Sequence, residues 1–201
     1  MILFADGRYI SLFRKGTASA VPHGHESRSG FSRCGERMIP QHVHNFGTYF
    51  ITAACFEHRS IFQNQRLAEL LVATLLHYRS ERKYLLHEFV IMPDHLHAIL
   101  TPIDITIERA VQFIKGGFSH SARQQCFGNL EIWQKGFTDH RIRNGNDYEV
   151  HVAYARMNPV RAGLCAAPEQ HPFTSASKST NLDPCPQRLK PEWTHAGEWH
   201  G

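Results

Sequence analysis

The sequence predicts an α+β sandwich in which helices pack on an antiparallel sheet. Three observations carry that prediction. Segments of strand propensity alternate with segments of helical period. Two of the strands meet at the tight turn signal Pro93-Asp94, while long helical stretches separate the others. A further helical segment closes the series.

The elements follow in order. Thr48 to Phe56 reads Thr-Tyr-Phe-Ile-Thr-Ala-Ala-Cys-Phe, rich in aromatic and β-branched residues, and predicts a strand. From Gln65 to Ser80, Leu67, Leu70, Leu71, Leu75 and Tyr78 recur at spacings of three and four, the pattern of an amphipathic helix. Tyr84 to Met92 and His95 to Thr101 predict two strands of one hairpin. Ile107, Val111, Ile114 and Phe118 mark a second helix, which Gly116-Gly117 should weaken. Glu131 to Arg143 holds short strand or loop segments. Asn146, with Glu149 three residues on, resembles a capping box, and the helix it opens should stop near Asn158, before or at Pro159. Strand, helix, strand, strand, helix, strand, helix is the order of a ferredoxin-like sandwich.

Residues 45–175 hold these elements and make up the expected domain. Residues 1–44 carry scattered Gly, Ser, His and Arg without a period and predict a poorly ordered leader; residues 176–201 predict a tail. Hydrophobic residues are 42% of the chain and charged residues 20%, a globular rather than a disordered composition. The net charge of +4 permits a nucleic-acid partner without requiring one. Cys34, Cys55, Cys126, Cys165 and Cys185 form no C-x-x-C pair and are odd in number, so free thiols in a reducing cytoplasm are expected. Asp6 and Arg8 interrupt the apolar start, against a signal peptide, and no apolar run is long enough to span a membrane.

Two features point to chemistry. Residues two apart on a strand share a face, so His95 and His97 point the same way and can converge on one divalent ion, with Asp94 placed to hold a ring N–H. With 15 histidines in the chain, two on one strand can equally be an accident, as His42 and His44 illustrate. The second feature is Tyr154 and Asn158, four apart on one helix face, which present a phenol and an amide oxygen together. The same pair also reads as a core tyrosine and an asparagine that ends a helix before proline.

Taken jointly, Thr-Tyr-Phe-Ile-Thr at 48–52, Val-Ile-Met-Pro-Asp-His-Leu-His-Ala-Ile at 90–99, Trp-Gln-Lys-Gly-Phe-Thr-Asp-His-Arg-Ile-Arg at 133–143, Asp147-Tyr148, and Tyr154-Ala-Arg-Met-Asn-Pro-Val-Arg-Ala-Gly-Leu resemble the REP-associated tyrosine transposases. These belong to the wider His-hydrophobic-His single-strand nucleases of bacterial insertion sequences. The resemblance implies a ferredoxin-like domain, metal-binding His95 and His97, Asn158 completing the metal site, Tyr154 as nucleophile and Tyr148 as a tyrosine that is not. It implies cleavage beside hairpin-forming repeats through a covalent 5′-phosphotyrosine. The family's aromatic after the tyrosine is replaced here by Ala155-Arg156.

A phenol ionises near pH 10 in water, so a divalent ion, magnesium or manganese, is expected to assist. The partner is expected to be single-stranded or hairpin DNA in the cytoplasm, with no membrane and no small-molecule substrate; monomer and dimer both remain open. Lys115, Arg123, Lys135, Arg141, Arg143 and Arg161, with Arg59, are candidate phosphate contacts, and Trp133 and Phe137 candidate stacking platforms. Two other functions remain at this point: a domesticated DNA hairpin-binding protein without chemistry, and a metal-dependent phosphodiesterase that uses water.

Overall fold

A computed structural model of the chain describes residues 47–125, 131–177 and 181–190. The expected leader, with His42 and His44, lies outside these residues, as does the end of the expected tail from 191 onward. The elements are β1 (Thr48–Ala54), α1 (Gln65–Ser80), β2 (Tyr84–Ile91), β3 (His95–Pro102), α2 (Ile107–Gln124), β4 (Thr138–Ile142) and α3 (Gly145–Arg161). The sheet order is β2-β3-β1-β4, with every pair antiparallel. This is the predicted series, a ferredoxin-like unit through β4 closed by α3.

Strand alternation divides the core in two. Ile51, Ala53, Leu96, Ala98 and Leu100 face one way and pack with Leu71 and Leu75 of α1 and Ile114 and Phe118 of α2. Phe50, Val90, Ile99 and Ile142 face the other way and pack with Tyr148, Val152 and Ala155 of α3. Burying each of the valine, leucine, isoleucine and phenylalanine side chains among them contributes about 1.5–3 kcal/mol. His97, alternating with Leu96 and Ala98, falls on the α3 face. A bulge between Leu86 and Glu88 turns β2 out of simple alternation.

α2 runs through Gly116-Gly117 to Gln124, and Gly117 lets Tyr78 of α1 lie against the helix: a Cβ there would stand 2.5 Å from the Tyr78 ring. Two local expectations change, both in α3. The cap of α3 lies two residues before the expected one; Asn144 Oδ1 accepts the Asp147 N–H at 2.9 Å, so Asn144 is the cap and Asn146 lies inside the first turn. The helix also passes Pro159 and ends at Arg161, with Pro159 buried in its last turn. Tertiary packing outweighs the one lost backbone bond.

Part of the expected tail belongs to the domain. Asp183 accepts from Arg79 Nε at 2.7 Å and from the Leu86 N–H at 2.9 Å, and Leu189 enters the α3-side core. The backbones of Phe173, Ser175 and Asp183 bond to Ile91, Phe89 and Leu86, covering the outer edge of β2.

α3 is fastened to β2 by a buried carboxylate. Glu88 is 1% exposed and accepts from Arg156 Nε at 2.9 Å, while the Ser175 hydroxyl donates to its other oxygen. Ala155 beside it is fully buried. Where the resemblance leads one to expect an aromatic, Ala155-Arg156 here supplies close packing and an ion pair. Removing one partner of a buried pair leaves the other uncompensated. Arg156→Ala is expected to destabilise the fold by about 2–4 kcal/mol, at the lower side of the buried-pair range because Arg156 is half exposed. Urea unfolding checks it; an unchanged midpoint would show that the pair does not hold α3.

Candidate active site

The site forms where the middle of the sheet meets the exposed face of α3. His95 and His97 stand on β3, Phe50 and Thr52 on β1, and His151, Tyr154 and Asn158 on α3. Thr52 and His97 are direct cross-strand partners, and Thr52 Oγ1 and His97 Nδ1 share a hydrogen bond of 2.8 Å. His95 Nδ1–H donates to Asp94 Oδ1 at 2.7 Å, the role expected for Asp94. His58 adds a second contact to Asp94, 3.3 Å from Oδ2.

These bonds decide what the rings offer. With its Nδ1 proton on Asp94, His95 carries a lone pair on Nε2. That nitrogen faces His97 Nε2 at 3.1 Å. Two imidazole nitrogens so close need a proton or a cation between them. The spacing suits two nitrogens sharing one ion at bonds of about 2.0–2.1 Å, and each ring is already oriented through its other nitrogen. The residues present therefore fit a divalent ion. Burial first, and the neighbouring His95 second, push the His97 imidazolium down to about 3, so the ring is neutral and able to act as a ligand. Burial would raise the Asp94 carboxyl, but its interactions with His95, then its hydrogen bond with His58, outweigh that and hold it below the usual carboxylate range.

The two tyrosines of α3 differ sharply. Tyr154 is 42% exposed, its ring 5.5 Å from that of His97 and 5.8 Å from that of Phe50. The Arg161 guanidinium lies 5.7 Å from its ring centroid. Tyr148 is 7% exposed in the core, and burial, then the charges around it, push its phenol well up. Only Tyr154 is open to a polynucleotide. Asn158 follows one turn later on α3, half-buried.

The candidate DNA contacts separate into two groups. Arg123, Lys135, Arg141, Arg143 and Arg161 are exposed; Arg141 and Arg143 line a shallow cleft with Arg188. Lys115 instead donates to the carbonyls of Gln134 and Gly136 at 2.8 and 2.6 Å, tying the loop before β4 to α2. Arg59 likewise donates to the carbonyls of Phe56 and Glu131. Trp133 lies in the core between Phe62 and Phe118, its indole N–H donating to the Lys115 carbonyl at 3.1 Å. Its ring is enclosed, not presented to bases, and Phe137 packs against the same core.

Phe50, which touches His97, His151 and Tyr154 together, was given no role by sequence reasoning. Its alternation against Ile51 was the available signal. His140, Asp147 and His151 also went unassigned, because their meeting depends on how α3 lies over β4.

A family model described as "Transposase IS200 like" matches residues 42–154, ending on Tyr154. The chain is similar to a REP-associated tyrosine transposase of Escherichia coli (strain K12), 30% identical over 131 residues, spanning 64% of this chain and 76% of that protein. It also resembles a solved structure of a REP-associated tyrosine transposase bound to a REP hairpin, at 27% identity and a TM-score of 0.57, covering 72% of this chain and 88% of that one.

Proposed function

Because this chain belongs to the IS200-like transposase family, we propose that it cuts and rejoins single-stranded DNA beside hairpin-forming repeats, with Tyr154 as nucleophile. As a transposase-family member it is a DNA-processing enzyme. The observation that carries the finer reading is an exposed tyrosine set against a neutral, buried histidine whose Nε2 meets a second imidazole.

The strand enters over the open face of α3. Arg161 beside the Tyr154 ring and the exposed Arg141 and Arg143 supply positive charge for its phosphates. Tyr154 Oη attacks phosphorus; the Tyr–O–P bond forms and the P–O3′ bond breaks. The phenol gives up its proton and the leaving oxygen takes one up as a 3′-hydroxyl. The 5′-phosphotyrosine conserves the phosphodiester energy, so a second strand is joined without ATP. His95, His97 and Asn158 are the residues that would hold a divalent ion, magnesium or manganese, which when bound polarises the scissile phosphate. Phe50 packs against both His97 and Tyr154 and keeps the two halves of the site in contact.

The solved relative holds a REP hairpin, and hairpin DNA is the expected substrate here. A duplex would have to be unpaired first. Three substrates of one composition test this at a single salt concentration: a hairpin with a single-stranded flank, its perfect duplex, and a linear strand with the stem scrambled. Cutting is expected on the hairpin alone, with weak binding of the scrambled strand, and binding should weaken as salt rises. Equal cutting of hairpin and duplex would refute the hairpin reading. Binding without cleavage under any divalent ion would leave hairpin recognition as the function.

A further inference from the structure

Beside the two-histidine centre, β4 and the first two turns of α3 bring a second set of ligand types together. His140 Nε2 lies 3.1 and 3.0 Å from the two carboxylate oxygens of Asp147. His151 Nδ1 lies 3.1 Å from Asp147 Oδ1. One ligand atom from each residue lies within 4.8 Å of the others. We propose that His140, Asp147 and His151 form a second cation site, taking one divalent transition ion of the zinc type, separate from the His95–His97 centre.

The arrangement follows from two periodicities. His140 stands two residues from Ile142 on β4, and Ile142 packs in the α3-side core, so both face α3. Asp147 and His151 are four apart and share one face of α3. Two imidazoles and one carboxylate suit zinc, manganese, iron or nickel better than magnesium, which prefers oxygen ligands and water. The carboxylate is oriented without an ion, since Asp147 Oδ2 also accepts the Arg143 N–H at 2.9 Å. His140 is the most open of the three, which leaves room for water in the remaining positions. His151 Nδ1 also lies 2.8 Å from the Asp147 carbonyl; binding through that nitrogen moves its proton to Nε2 and exchanges the hydrogen bond for a coordinate bond.

The site would act as a cross-link. β4 is an edge strand paired only with β1 among the described residues. An ion shared by His140 and the α3 residues pins that edge to the helix that carries Tyr154. His151 lies 4.9 Å from Phe50, which in turn contacts His97 and Tyr154. The proposal needs no assumption about the reaction, so its failure and that of the tyrosine mechanism are separable.

Zinc titration of the full chain carrying His95→Ala and His97→Ala tests it, read by calorimetry and by thermal unfolding. One equivalent of zinc is expected, with a midpoint that rises with zinc. Adding His140→Gln or His151→Gln should weaken that uptake on the order of 100-fold, with circular dichroism checking that each variant is folded. Asp147→Asn should do the same; because Asp147 sits in the first turn of α3, the two histidine variants carry the test if it does not fold. Cobalt in place of zinc should give a visible spectrum that His140→Gln removes. With 15 histidines in the chain, uptake alone is not enough. Absence of zinc binding overturns the proposal, and so does binding that survives both histidine variants.

Discussion

Tyr154→Phe is expected to abolish cleavage of a hairpin substrate and the covalent protein–DNA adduct, while hairpin binding persists. The change removes one oxygen and keeps the ring that packs against Phe50 and His97, so the fold should be unaffected. Deleting a covalent nucleophile costs on the order of 10³-fold or more, because no neighbouring group occupies its position. Tyr148→Phe is the matched control. Its ring is buried and its phenol is pushed well up, so cleavage should stay within a few-fold of the original. Denaturing gels of labelled hairpin DNA read both products together. If Tyr154→Phe cuts at the original rate, a water-using phosphodiesterase becomes the better description of this centre.

Loss of either β3 histidine is the second large effect. His95→Ala should reduce cleavage by more than about 100-fold and remove its response to added magnesium or manganese, since one imidazole and an amide hold a divalent ion poorly. His95 is the cleaner choice. His97 is 4% exposed and bonded to Thr52, so His97→Ala removes core packing as well as a ligand, and its loss of activity must be read beside its stability. Asn158→Ala should be milder, raising the ion concentration needed for half-maximal rate. Full activity of the original protein in EDTA would count decisively against an ion at this centre. The same measurements separate the remaining alternative: a hairpin-binding protein without chemistry would bind DNA equally well in every variant and form no adduct in any.

What the sequence determined by itself is what short-range geometry encodes. The two-residue period of a strand put His95 and His97 on one face. The helical period put Tyr154 above Asn158. The alternation of long crossovers with one tight hairpin was enough for the ferredoxin-like class, because few topologies satisfy that element order; the strand order β2-β3-β1-β4 came from the structure. Asp94 as the partner of His95 was also legible, being its immediate neighbour.

The tertiary structure decided everything that depends on which distant residues meet. It put Tyr148 in the core and left Tyr154 open, though both lie on α3. It enclosed Trp133 between Phe62 and Phe118 and engaged Lys115 with two carbonyls, although both residues had the composition of DNA contacts. It carried α3 past Pro159, where core packing outweighs a local breaker. It joined Asp183 to the outer edge of β2, and it assembled His140, Asp147 and His151 from a strand and a helix. Side-chain periodicity is a property of neighbours along the chain and can be read from them. Burial and encounter are set by the register of a sheet and the position of a helix upon it, which no single segment specifies.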